Sequence, residues 1–303
     1  MAAAFMDLLP VFEWERMDLD AILAVSDFLA GNMHIPFILS GIYVVVVFGI
    51  QYLLEDSKPF DLKLPLALWS LGLALFSVFG SLRTVPTLAK LGWNRGLLHV
   101  VCGDTRYDWL VLEPAGAWTV LFIFSKAPEL IDTLFIVLRK RKLITLHWYH
   151  HITVLLFCWH SLATLCMNGL IFSSMNLTVH AFMYFFYTLA ALGYRPTAFA
   201  VYITLLQILQ MLVGTAVTVY VNLQQVAAKA EDPSALEAAS KDWLNVTWDK
   251  FSSRENPETI STCETVHPAS AFAGLAMYAS YLWLFSAFFY YAYMAPRPKA
   301  KVE

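Results

Sequence analysis

Charge is what this sequence has least of. Only 14% of its 303 residues are Asp, Glu, Lys or Arg, against about 25% in an ordinary globular domain. That is too little to coat a water-soluble fold. The net charge of −3 offers no concentrated basic surface, which argues against nucleic-acid binding. The four cysteines, Cys102, Cys158, Cys166 and Cys263, are not paired in the CxxC spacing of a zinc site. The first 32 residues carry Asp7, Glu13, Glu15, Asp18 and Asp20 and lack the basic start and apolar run of a secretory signal. Internal repeats and low-complexity tracts are also missing.

Apolar and aromatic side chains are plentiful instead. Hydrophobic residues make up 59% of the chain, with 22 Phe, 14 Tyr and 10 Trp, a load suited to lipid-facing surfaces and interfacial belts. A spanning helix needs about 20 mostly apolar residues. Seven runs meet or approach that length, at 36–54, 64–82, 117–138, 146–167, 170–192, 199–223 and 269–292. The runs are continuous and do not alternate, so they predict helices and not barrel strands. The expected fold is an all-α integral membrane protein with seven transmembrane helices. Its organisation reads as a lumenal or interfacial segment at 1–35, a helical domain at 36–292 with long loops at 83–116 and 224–268, and a tail at 293–303.

Basic residues near span ends set orientation. Arg139, Lys140, Arg141 and Lys142 sit between the third and fourth spans and predict a cytosolic face there. The turn with Arg195 and the C-terminal tail with Arg297, Lys299 and Lys301 then share that face. The acidic N-terminus and the 224–268 loop fall on the other. Lys299 and Lys301 stand five and three residues from the end, similar to a dilysine retrieval signal of endoplasmic-reticulum membrane proteins. Asn245-Val-Thr247 is a glycosylation sequon in the loop expected to be lumenal. Asn176-Leu-Thr178 matches the same pattern inside a span, where it is not usable. Cys102 and Cys263 fall in the two loops on the oxidising side; a disulfide and two separate thiols are both consistent with that placement.

Ionisable groups inside a span are costly unless paired and mark function by default. Here they come in stripes at three-to-four spacing, which places each set on one helical face. The third span carries Lys126, Glu129, Asp132 and Thr133; the fourth, His147, His150 and His151; the fifth, His180, Tyr184 and Tyr187; the sixth, Gln207 and Gln210. Four consecutive striped spans imply one polar cavity opening toward the 139–142 cluster. Simpler readings stand beside this one. The third-span charges are also consistent with a structural ion-pair network, the glutamines with interhelical hydrogen bonding, and the basic cluster with topology alone. His160, without partners at helical spacing, reads as an ordinary bundle residue.

An HxxHH run suggests metal first, as in the two-iron membrane desaturases and hydroxylases. Those need several such boxes. Of the eight histidines here, only His147, His150, His151 and His180 form a plausible set, so no metal is expected. A single ion with Asp132 as an oxygen ligand stays open. Acid–base or nucleophilic histidine chemistry fits better. Cys158 lies two turns from the histidines, about 11 Å along the axis, too far for a thiolate–imidazole pair within one helix.

Together the motifs resemble those of the fatty-acid elongases. Lys126-Ala-Pro-Glu129-Leu-Ile-Asp132-Thr133 is similar to the family's KxxExxDT, and His147-Trp-Tyr-His150-His151 to its HxxHH. The run from His180 to Tyr187 resembles HxxMYxYY, with Phe186 where tyrosine is usual, and Thr204 to Gln210 resembles TxxQxxQ. The resemblance covers roughly 35–295, with 226–262 longer than usual. The text around His147 is similar to the branch acting on saturated and monounsaturated C16-type chains. The resemblance implies six helices enclosing a narrow acyl tunnel, closed at the lumenal end. It implies condensation of a long-chain acyl-CoA with malonyl-CoA to 3-oxoacyl-CoA, CO2 and CoA, with both thioesters as substrates and no bound cofactor. His150 would carry the acyl group, His147 and His151 would move protons, and His180 would contact the thioester or enolate. Gln207 and Gln210 would serve the oxyanion, while Lys126 and residues 139–142 would meet phosphate or carboxylate. Glu129, Asp132, Thr133, Tyr184 and Tyr187 would complete the substrate-binding set. The implied partners are the bilayer and the ketoacyl-CoA reductase, dehydratase and enoyl-CoA reductase of the same cycle, with a homodimer left open. The implied location is the endoplasmic-reticulum membrane. A metal-dependent desaturase or hydroxylase and a seven-helix transporter are the alternatives; a transporter normally shows repeated halves, and none is found.

Overall fold

The computed structural model describes residues 10–102, 109–110, 113–166, 168–231, 263 and 266–295. Asn245, Arg297, Lys299, Lys301 and most of the 224–268 loop lie outside the described residues. Ten α-helices follow one another among them: α1 (Leu19–Gly31), α2 (His34–Leu53), α3 (Lys63–Arg95), α4 (Leu97–Cys102), α5 (Pro114–Ser125), α6 (Ile131–Leu138), α7 (Thr145–Ala163), α8 (Gly169–Ala191), α9 (Thr197–Glu231) and α10 (Pro268–Phe289). No strand occurs among the described residues.

Among the described residues, five helical stretches are long and apolar enough to cross a membrane: α2, α3, α8, the Thr197–Ala228 part of α9, and α10 with the π-helical turn that extends it to Met294. The chain is therefore a multi-pass membrane protein. The remaining two runs expected to span depart from that pattern for a reason visible in their sequences. Pro128 lacks an amide proton and disfavours continuation of the helix before it. The run at 117–138 accordingly breaks into α5, a 3-10 turn over Pro128–Leu130, and α6. Helix α7 is 19 residues long but carries four histidines, which lower its hydropathy. A proline break in one run and the site's own histidines in the other thus take both below the length and hydropathy of a plain span.

Sequence reading also underestimated some elements. Helix α3 continues for 33 residues through Pro86, well past residue 82. Helix α1 was not anticipated as a helix. Asp18 caps it by accepting from the Ala21 amide at 2.9 Å, and it docks on the far end of α7. There Ser26 donates to the Ala163 carbonyl at 3.1 Å and Trp159 donates to the Leu29 carbonyl at 2.9 Å.

Helix α8 packs along α3, and α9 along α10. Leu177 of α8 fits over Gly80 of α3 and beside Trp118, and Ser81 and Thr178 hydrogen-bond at 2.8 Å. Helix α8 stops at Leu192, where Gly193 takes a positive φ of 101° that a side chain would resist. Outward faces stay apolar: Val45 of α2, Leu68 of α3 and Leu209 of α9 are all exposed. Such faces call for lipid. At one end of the bundle a disulfide joins Cys102 to Cys263, packed with Cys166 and Val266. Arg139, Arg141 and Arg195 gather at the other, beyond the last turns of α6 and α8.

Beside the disulfide end, Glu15 of the N-terminal segment is buried. Arg83 donates to both its oxygens at 2.8 Å, and Trp118 donates at 2.7 Å. Burial pushes its carboxyl upward, but the hydrogen bonds from Trp118, Arg83 and the Phe12 amide, with the Arg83 charge, outweigh it and hold the pKa below the ordinary value.

Candidate active site

The striped faces of α7, α8 and α9 meet around a cavity of about 130 Å³. His147, His150, His151, His180, Tyr184, Tyr187, Gln207 and Gln210 all line it, with Asp132 at its edge. Three-to-four spacing on each helix turns these residues the same way, and bundling aims the faces at one point. The His147 and His151 rings are 4.5 Å apart, and those of His150 and His151 5.5 Å apart. A wider space of about 300 Å³ shares Asp132, His147 and Tyr187 with this cavity and is rimmed by Arg139, Arg141 and Arg195. A small polar chamber thus adjoins a vestibule carrying three guanidinium groups.

Several of these residues are braced from behind. Thr133 Oγ1 lies 3.0 Å from His147 Nε2 and 2.8 Å from Tyr43 Oη. One hydroxyl has one proton, so this chain runs in either direction according to the His147 tautomer. It accommodates His147 with Nε2 either protonated or bare. Asp132 accepts from Trp69 at 2.6 Å and from Tyr184 at 2.7 Å. The Tyr184 ring stands edge-on to His180 with centroids 5.3 Å apart. Tyr281 of α10 lies 5.0 Å from the His150 ring and donates to the His150 carbonyl at 3.2 Å, fixing the turn that carries it. The Nδ1 of His151 is buried without a hydrogen-bond partner among the described residues.

Lys126 does not face the vestibule. The sequence reading paired it with CoA phosphate or a malonyl carboxylate; the structure instead buries its ammonium against Glu129 at 2.7 and 3.0 Å and Asn176 at 3.2 Å. A buried ammonium without a carboxylate partner is strongly disfavoured, and Glu129 meets that need from one turn away. Ser125 adds a further hydrogen bond to Glu129 at 2.8 Å. Of the basic run, Arg139 and Arg141 line the vestibule while Lys140 and Lys142 do not. Gln207 donates to the Met183 sulfur at 3.3 Å, so part of its amide is already engaged. His160 lies away from the cavity, with Nδ1 3.1 Å from the Ser270 hydroxyl.

Among the described residues, no three His, Cys, Asp or Glu side chains converge as a metal-holding group. Both Asp132 oxygens are committed to Trp69 and Tyr184. The cavity presents imidazole, amide, phenol and, through Asp132, carboxylate groups, a set suited to acid–base and nucleophilic chemistry.

Several of these residues escaped the sequence reading. By sequence pattern Asn176 is only a sequon inside a span. It sits one turn before His180 on the same face and lines the cavity, so helical spacing alone could have found it. Trp69, Tyr43 and Tyr281 lie in runs without a polar stripe and carry no local signal. Arg195 read only as an orientation marker.

Residues 28–301 match the sequence model of the ELO family, described as GNS1/SUR4. The chain belongs to the ELO family. A very long chain fatty acid elongase 6 from Rattus norvegicus is 39% identical over 270 residues, 89% of this chain and 88% of that protein. The Homo sapiens protein of the same name is 39% identical over 269 residues, 88% of each. A very long chain fatty acid elongase 4 from Trypanosoma cruzi is 34% identical over 264 residues, 85% of this chain and 79% of that one. This ELO protein is therefore an enzyme of fatty-acid elongation. Its four motif stripes are the residues that the fold gathers around, or directly behind, one cavity.

Proposed function

We propose that this ELO protein condenses a long-chain acyl-CoA with malonyl-CoA to give 3-oxoacyl-CoA, CO2 and CoA, through an acyl group carried on His150. The observation that carries this reading is the meeting of His147, His150, His151 and His180 in one chamber beside a vestibule rimmed by Arg139, Arg141 and Arg195. The guanidiniums suit the phosphates of CoA, which leaves the thioester at the histidines. Beyond them lies an apolar cluster of Phe172, Met211, Met277, Tyr278 and Tyr281. Met211 belongs to both cavity and cluster, so an acyl chain leaving His150 passes into apolar surroundings.

In the first half-reaction a ring nitrogen of His150 adds its lone pair to the thioester carbonyl carbon. The C–S bond then breaks, and CoA leaves as a thiolate that takes up a proton. Malonyl-CoA follows into the same chamber. Loss of CO2 leaves the electrons of the broken C–C bond as an enolate, which attacks the acyl carbon. The C–N bond breaks and returns its pair to the imidazole. His147, backed by Thr133 and Tyr43, is placed to move protons; His151 and His180 flank the reacting thioester. Enclosure within the bundle limits hydrolysis of the acyl-enzyme.

The same reading takes the bundle as seven spans, six of them around the tunnel, with the short α5–α6 pair and α7 counted as crossings. The disulfide at one end and the arginines at the other support an oxidising, lumenal side for the N-terminus and a cytosolic mouth. That arrangement fits the endoplasmic-reticulum membrane. A 3-oxoacyl product must next be reduced, dehydrated and reduced again, which suits a location beside those three enzymes. The direct test supplies purified protein with palmitoyl-CoA and carboxyl-labelled malonyl-CoA. Labelled CO2 and a 3-oxo product two carbons longer, in equal amounts, are expected. Release of CO2 without chain extension, or hydrolysis alone, would remove the condensation reading.

A further inference from the structure

Asn176 of α8 lines the histidine cavity one helical turn before His180. Its amide has an accepting end and a donating end. Lys126 Nζ lies 3.2 Å from Oδ1. An ammonium has three protons and no lone pair, so it requires an acceptor opposite it. The amide therefore cannot turn over, and its NH2 end is held away from Lys126. Among the described residues nothing accepts from that nitrogen, although Asn176 as a whole is only 8% exposed. Lys126 is in turn fixed by Glu129, and Glu129 by Ser125. Buried charge thus fixes the orientation of one neutral amide that lines the histidine cavity.

We infer that Asn176 is a further catalytic residue of the condensation proposed above, donating to the carbonyl oxygen of the bound thioester as that oxygen becomes negative. When a His150 nitrogen adds to the carbonyl carbon, the C=O π electrons move onto oxygen, where the Asn176 N–H meets them. They return as the C–S bond breaks and CoA leaves. Asn176 keeps its proton throughout. Lys126 and Glu129 are positioning residues: they act by holding the donor end inward. A donor preset by a buried ion pair needs no reorganisation as charge develops, which is the condition under which such donors contribute most.

The inference rests on the condensation reading, and one substitution separates the two. Asn176→Asp keeps the shape of the side chain and its acceptor for Lys126, but replaces the donor with a carboxylate oxygen. Purified full-length protein is assayed with palmitoyl-CoA and malonyl-CoA. In Asn176→Asp, kcat is expected to fall about 100-fold or more, with thermal stability retained. KM for palmitoyl-CoA should stay within about threefold of the wild type, the pattern of an interaction made in the transition state. Lys126→Met should also lower kcat and add little further loss in an Asn176→Ala background. If Asn176→Asp keeps kcat within about threefold of the wild type, or raises KM alone, the donor role is overturned while condensation stands. A wild type that forms neither acyl adduct nor 3-oxo product overturns both.

Discussion

Trp69 donates its indole N–H to Asp132 across 2.6 Å, from a helix whose sequence reads as a plain apolar span. The other Asp132 oxygen accepts from Tyr184 at 2.7 Å, which connects a lipid-spanning helix to the ring beside His180. Trp69→Phe leaves one carboxylate oxygen buried without a donor, at an expected cost of about 1–3 kcal/mol. Tyr184→Phe does the same on the other side. Because both act on one carboxylate, the double variant should depart from additivity by about 0.5 kcal/mol or more. Thermal unfolding of the four proteins in detergent reads this directly, and simple additivity would show that Asp132 does not couple the two helices.

Glu129 neutralises Lys126 in the interior. Glu129→Gln strands the ammonium and should destabilise the protein by about 3–5 kcal/mol. Lys126→Met in the same chain should restore much of that loss, since a buried pair replaced by neutral groups costs far less than a broken one. Recovery of stability without recovery of turnover is the expected pattern. A Glu129→Gln protein as stable as the wild type would mean that the charge is compensated elsewhere.

Gly214 makes room for the Tyr278 ring: a Cβ there would overlap it. Tyr278 also stacks on Phe172 with ring centroids 5.0 Å apart. This pair lies in the apolar cluster that follows the histidine cavity. Tyr278→Ala opens that space and should shift the products toward longer acyl chains. Gly214→Ala should lower yield or stability by about 1–3 kcal/mol through overpacking. The acyl-length profile of the Tyr278→Ala product is the readout; an unchanged profile at retained activity would place the chain elsewhere.

Glu15 gives the disulfide end a pH dependence of known sign. Its folded pKa lies below the ordinary value of 4.5, so its contribution is complete above that pH. The contribution is lost as pH falls through the folded value. Stability of the wild type should therefore decline more steeply below about pH 4.5 than that of Glu15→Gln. Parallel pH profiles of melting temperature for the two proteins would contradict the role assigned to the Arg83–Trp118–Glu15 cluster.

The sequence made some of this legible and hid the rest for physical reasons. His147, His150, His151, His180 and Gln210 stand out because polar groups at helical spacing are rare in apolar runs, and all of them face one cavity. Helix α1 was not legible: 13 residues with Asp20 and Asp27 are too short and too charged to read as a span. The break near Lys126 and the polarity of α7 leave, among the described residues, five helices long and apolar enough to cross where seven runs suggest one. Cross-helix partners such as Trp69, Tyr43 and Tyr281 are properties of packing. No window along the chain contains them.

The most direct measurement is the intact mass of the purified protein after incubation with palmitoyl-CoA alone. The wild type should gain one acyl group, mapping to the peptide that holds His147, His150 and His151, and should lose it when malonyl-CoA is added. His150→Ala should gain none and form no product. Full turnover by His150→Ala, or a wild type that forms product from preloaded enzyme with no adduct at any time, would contradict a covalent condensation on His150.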